Sequence, residues 1–137
     1  DLLAGVATSG SYNDLTNKPS TALTQVQSFT QYGVTVTVYA NDFLVHVVVT
    51  GDATSIGANN VFMLNPTQTG QVVSISEGYR PPSTYVTAPA TTSVGENKSK
   101  SKITINPEGN VYIINTTNET NLENIRTCLT YPRVWFN

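Results

Sequence analysis

A chain of 137 residues in which only 12% are Asp, Glu, Lys or Arg must build its solvent face from neutral polar side chains, because globular proteins ordinarily carry about 25% charge. Disorder of the highly charged kind is excluded, and a net charge of -2 excludes a general electrostatic pull toward nucleic acid or an anionic membrane. The length suits one domain, since domains run to roughly 100–150 residues and one of that size buries about two-thirds of its unfolded surface.

In residues 1 to 25, Gly5, Gly10 and Pro19 interrupt a Ser/Thr/Asn background, although Leu2, Leu3, Val6 and Leu15 are apolar. The stretch reads as a linker or docking segment, and residues 26 to 137 read as a folded head. Opening at Asp1 without methionine, the chain also reads as a piece of something longer. Thr21 to Tyr32 has room for one helical turn. From Val26 onward, short β-rich runs alternate with turn residues. Gly33 to Tyr39 places Val34, Val36 and Val38 on one face and Thr35, Thr37 and Tyr39 on the other, the pattern of a half-buried strand.

After an Asn41-Asp42 turn, Phe43 to Thr50 is apolar on both faces and predicts a strand covered on both sides, ended by Gly51-Asp52. The two runs read as a hairpin. Val61 to Leu64, Val72 to Ser76 and Tyr85 to Ala88 are further short strand candidates. Ile103 to Asn106 and Val111 to Ile114 flank Pro107-Glu108-Gly109-Asn110. In such a turn Pro favours the first corner and Gly supplies positive φ, so a hairpin is expected. Asn118 to Asn124 has room for a second helical turn. Ile125 to Tyr131 and Val134 to Phe136 read as the last strand or two, broken at Pro132. Seven or eight strands at this spacing predict an all-β fold: an antiparallel β-sandwich, a jelly-roll-like head or a small barrel.

The Lys98, Lys100 and Lys102 run, beside Glu96, reads as a solvated loop or as a guard against edge-to-edge strand pairing. Cys128, the only cysteine, cannot close an internal disulfide or join a zinc set, and its alternating context makes it a small strand residue. No apolar run reaches the length of about 18 to 20 residues that crosses a membrane as a helix.

Catalysis needs a positioned nucleophile, acid, base or metal. His46 is the only histidine, and no hydrolase, zinc-protease, P-loop or dinucleotide motif occurs. Asp42, Asp52, Glu77, Glu96, Glu108, Glu119 and Glu123 fall mostly at loops or strand ends. Nothing pairs them as a glycosidase requires or groups them as calcium requires. The chain is therefore read as a non-enzyme without cofactor or metal. Its more telling residues are aromatic. Tyr79, Tyr85, Tyr131, Trp135 and Phe136 lie in or beside loops, where an aromatic face can stack on a sugar ring. Arg80 and Arg133 are nearby directional donors. Trp135, Tyr79, Tyr85, His46, Arg80 and Arg133 are the ligand-binding candidates. Asn97, Asn115 and Asn118 match the glycosylation acceptor pattern, which an Asn/Thr-rich chain produces by chance.

Two stretches carry a family resemblance. Ser9-Gly10-Ser11-Tyr12-Asn13-Asp14-Leu15-Thr16-Asn17-Lys18-Pro19-Ser20 resembles a segment that recurs in tail fibres and receptor-binding proteins of tailed bacteriophages, before a trimeric tip. Glu77-Gly78-Tyr79-Arg80-Pro81-Pro82-Ser83, the Ile103 to Ile114 hairpin and Arg126 to Pro132 resemble the ending of C-terminal head domains in siphophage baseplate and tail proteins. Residues 21 to 76 carry no resemblance.

The resemblance implies a homotrimeric all-β head at the phage tail tip, acting at the bacterial surface, that recognises cell-wall polysaccharide or teichoic acid. Attachment to other tail proteins would run through residues 1 to 25, with no membrane insertion. The family shares no saccharide-binding motif, so no site residue follows from it. A structural baseplate or fibre module that docks another virion protein is the alternative. A depolymerase fragment would require the release of reducing ends from host polysaccharide.

Overall fold

The computed structural model describes residues 21–53, 57–64, 72–90, 101–117 and 120–133. Eight strands are formed: β1 (Thr24–Gln31), β2 (Val34–Ala40), β3 (Leu44–Ala53), β4 (Asn60–Met63), β5 (Val86–Ala90), β6 (Ser101–Ile105), β7 (Val111–Asn115) and β8 (Leu122–Pro132). They make two antiparallel four-stranded sheets, ordered β1-β2-β3-β8 (sheet A) and β4-β7-β6-β5 (sheet B). The inner faces share one apolar core, so the fold is an all-β sandwich, with no helix among the described residues.

Period-2 patterning decides which face turns inward. Val34, Val36 and Val38 of β2 and Val45, Val47 and Val49 of β3 meet Ile103 and Ile105 of β6, Val111 and Ile113 of β7, and Ile125 and Leu129 of β8 in that core. Removing such a Val or Ile side chain from water contributes about 1.5–3 kcal/mol. The outward residues of sheet A are mostly hydroxylated. Thr30 and Thr35 hydroxyls lie 2.9 Å apart across β1 and β2, and the low charge of the chain is visible there as cross-strand Thr and Ser pairs.

Several expectations change. Thr24 to Gln31 is strand β1, not a helical turn, because pairing with Val34 to Ala40 satisfies its backbone. Leu122 to Asn124 likewise opens β8. The Phe43 to Thr50 run is covered on one face only: Val45, Val47 and Val49 are buried, whereas Phe43 and Leu44 are exposed and His46 and Val48 half-buried. Val72 to Ser76 contributes one bridge, Ser74 to Asn110, rather than a strand. Lys102 guards no edge, because β6 lies between β7 and β5. Cys128 is a strand residue but faces solvent. Residues 1–20, Lys98, Lys100 and residues 134–137 lie outside the described residues.

The two sheets are tied at both sides. The Gln27 amide of β1 donates to the Ser74 carbonyl at 2.9 Å and accepts from Ser76 N–H at 2.9 Å, standing in for a missing strand partner. Ile75 N–H then donates to the Gly109 carbonyl at 2.8 Å, which carries the 72–81 segment from sheet A to the β6–β7 turn of sheet B. On the opposite side the Thr127 hydroxyl of β8 donates to the Pro89 carbonyl of β5 at 2.8 Å. Asn106 organises the β6–β7 turn: its side-chain oxygen accepts from Glu108 N–H at 3.1 Å and Asn110 N–H at 2.8 Å.

Candidate functional site

The sandwich separates the candidate residues rather than gathering them. Tyr79, Arg80 and Arg133 form one group, at the side sealed by the 72–81 segment. Arg133 Nη1 donates to the Asn41 carbonyl at 3.0 Å, its backbone N–H donates to the Phe43 carbonyl at 2.8 Å, and its guanidinium lies 4.8 Å from the centre of the Tyr79 ring. Arg80 Nε donates to the Ile75 carbonyl at 2.7 Å. One side-chain donor of each arginine and this ring face are taken up by the protein itself, whereas Arg133 Nε is buried with no hydrogen-bond partner among the described residues. Arg80 and Arg133 thus also serve the fold, as clamps on the 72–81 segment and the end of β8.

Beneath them the Tyr131 hydroxyl donates to the Tyr79 carbonyl. Tyr131 is a core residue, although its neighbours in sequence suggested a loop aromatic. Burial pushes its phenol well above the ordinary value of about 10. The folded state therefore holds this proton more tightly than the unfolded chain does, so the phenol's contribution to stability is whole below about pH 10 and is lost as pH rises beyond it. Thermal unfolding monitored between pH 8 and pH 11 is expected to show a falling midpoint above pH 10. Tyr131→Phe is expected to start lower, for want of the hydrogen bond, and to remove the phenol's share of that fall.

His46 stands elsewhere, on the outer face of sheet A. Its Nδ1 shares a hydrogen bond of 2.8 Å with the Thr130 hydroxyl, and its ring centre is 6.5 Å from that of Tyr39, the residue opposite it on β2. This is a half-buried histidine satisfied by a hydroxyl and set beside a tyrosine ring. Trp135 lies outside the described residues.

Among the described candidates, Tyr85 alone lies in an open concave setting. It is 62% exposed and, with Val61, Thr104, Tyr112 and Ile114, lines a depression of about 240 Å³ on the outer face of sheet B. Cross-strand register builds this place: Val61 of β4 is opposite Ile114 of β7, and Tyr112 of β7 is opposite Thr104 of β6. Asn106 Nδ2 holds the Tyr112 hydroxyl at 3.2 Å, and the Thr104 hydroxyl is shared with that of Thr87 at 2.8 Å. Two aromatic rings, two aliphatic side chains and a small set of hydroxyls suit a flat, partly apolar, polyhydroxylated ligand.

A second hollow, of about 320 Å³, lies where β3 and β8 begin to diverge and is lined by Asp52, Ala53, Asn121, Leu122, Glu123 and Asn124. The Asp52 carboxylate there accepts from Asn124 N–H at 2.8 Å. No group of three or more His, Cys, Asp or Glu side chains able to hold a metal occurs among the described residues. Asn115, one of the three glycosylation-pattern asparagines, is 1% exposed, and its amide is bonded to Gly57 and Thr117. That asparagine is closed to an attached glycan; Asn97 and Asn118 lie outside the described residues. Neither a protein-family model nor a curated protein sequence matches this chain.

No local signal in the sequence marks Val61, Thr104, Tyr112 and Ile114 as one site. Alternation in Val111 to Ile114 does put Tyr112 and Ile114 on one face. Their joining to Tyr85, however, depends on β4 pairing with β7, across a sequence gap that local patterning does not bridge.

Proposed function

We propose that this chain is a non-catalytic recognition head of a tailed-bacteriophage tail protein and binds saccharide on the bacterial surface. The observation that carries the reading is the Tyr85/Tyr112 depression. It offers aromatic faces and hydroxyls, and no acid, histidine or thiol is among its lining residues. Support also comes from the resemblance of residues 9–20 and of the 77–83, 103–114 and 126–132 stretches to such proteins, and from the hydroxyl-rich, sparsely charged surface, which suits hydrogen bonding and stacking. A homotrimer belongs to the same proposal: three weak sites on one tip would act together, so modest single-site affinity suffices for adsorption.

A second reading, a structural module docking another tail protein, is favoured by a separate feature. Leu23, Phe43 and Leu44 are exposed together where β1 starts and β3 begins, and such apolar exposure marks protein contacts. Fluorescent labelling of the chain and incubation with bacterial cells separates the two. Decoration that purified wall polysaccharide competes away is the expected result. Failure to decorate any of a panel of tail-phage hosts, with the fold intact, would support the structural module instead.

A further inference from the structure

We infer that the Tyr85/Tyr112 depression selects saccharides bearing an anionic substituent, with Lys102 as the specificity-determining residue; this rests on the saccharide reading above. Lys102 faces outward from β6 and is the register partner of Ile114 on one side and Pro89 on the other. Side chains at i and i+2 of a strand share a face, so Lys102 also adjoins Thr104 along β6. It therefore borders two residues that line the depression.

Lys102 neither guards a sheet edge nor answers a carboxylate across the ladder. A lysine on an edge strand blocks unwanted pairing, but β6 is an inner strand. A lysine on a solvated face commonly answers a carboxylate across the ladder, but its two row partners are Ile114 and Pro89, and the next row along, Met63, Tyr112, Thr104 and Thr87, holds no acid. Among the four Lys and Arg side chains of the described residues, Arg80 and Arg133 are bonded to carbonyls, and Arg126 lies in β8 of the other sheet. Lys102 is thus the cation of sheet B with no ion-pair partner among the described residues. Its apolar stem can lie along Ile114 while the ammonium reaches the rim of the depression. A sugar seated on the aromatic rings would present a phosphate or carboxylate substituent within reach of that ammonium.

The test uses the whole chain and three probes, glucose, glucose 6-phosphate and inorganic phosphate, each titrated while backbone amide signals of Tyr85, Tyr112 and Ile114 are followed by NMR. Glucose 6-phosphate is expected to move these signals at roughly three- to fivefold lower concentration than glucose, the scale of one solvent-exposed ion pair. Raising the salt concentration should narrow the gap. Lys102→Gln, an exposed change that leaves the core untouched, should abolish it while the glucose response persists, and Lys102→Arg should restore it. Equal titration by the two sugars, or a gap that survives Lys102→Gln, overturns the inference and leaves the saccharide reading standing. No response to either sugar overturns both. A response to phosphate equal to that of glucose 6-phosphate, with none to glucose, also overturns both, because charge alone would then explain the binding.

Discussion

Gly33→Ala and Gly51→Ala are each expected to destabilise the sandwich by about 2–5 kcal/mol, which is large against a total of roughly 5–15 kcal/mol for a domain. Two costs combine. Gly33 has φ +83° and Gly51 φ +129°, and a side chain in the left-handed region costs about 1–2 kcal/mol. In addition, a Cβ on Gly33 would run into the Asp52 carbonyl oxygen, and one on Gly51 into the Gly33 carbonyl oxygen. Backbone cannot swing aside as a flexible side chain does, and overpacking of this kind costs a further 1–3 kcal/mol or so.

The crowding has a structural origin. Tyr32 and Gly33 form the two-residue turn between β1 and β2, both with positive φ, as a tight hairpin whose twist matches its strands requires. That turn is fastened to β3 by the Asp52 N–H bond to the Gly33 carbonyl at 3.1 Å. Gly78→Ala is the internal control: its φ is +96°, but a Cβ there meets nothing within 4 Å, so only the backbone cost applies. Urea unfolding of the three variants measures the difference. If Gly33→Ala and Gly78→Ala lose the same stability, the close approach of the turn to β3 is not what demands glycine. The Gly33/Gly51 double variant is expected to lose less than the sum, because both changes disrupt one contact.

Much of the β framework was legible because alternation is a local signal. Val34 to Tyr39 and Ile103 to Ile114 each declare their inward face within a few residues, and Pro107 and Gly109 mark the turn between the latter pair. Local signals misled where tertiary pairing decides. Thr24 to Gln31 lacks strict alternation because a bulge between Gln25 and Gln27 shifts its register, and its pairing with β2 overrides that irregularity. Phe43 to Val49 looked buried on both faces because valine is favoured on any strand face, exposed or not.

The site was harder still. Aromatic residues near loops can be told apart only by what packs on them: Tyr131 is buried, Tyr79 is covered by Arg133, and Tyr85 alone among the described candidates is open. Arginine donors suggest ligand contacts, yet backbone carbonyls engage one donor of each, that of nearby Ile75 for Arg80 and that of distant Asn41 for Arg133. The sequence separation between Arg133 and Asn41 hides that competition from any local reading.

Tyr85→Ala is expected to abolish competable decoration of bacterial cells, with single-site saccharide affinity falling about 30-fold. That figure corresponds to the 2 kcal/mol or more typical of an aromatic anchor at the centre of a contact. The change is separable from stability. At 62% exposure the Tyr85 side chain contributes little to the core, so its loss should alter unfolding free energy by no more than about 0.5 kcal/mol. Tyr112→Ala is a poorer probe, because its hydroxyl is held by Asn106, the residue that organises the β6–β7 turn, and weakened binding would be mixed with a loosened turn. His46→Ala supplies the spatial control: His46 belongs to β3 of sheet A, on the other side of the core from the depression, and its loss should leave binding intact. The reverse outcome, in which His46→Ala abolishes decoration and Tyr85→Ala does not, would move the contact surface to the hydroxyl-rich face of sheet A. Because saccharide recognition by stacking needs a ring presented to solvent, and Tyr131 and Tyr79 are both covered, the exposed Tyr85 ring is where the two sheets' claims can be decided.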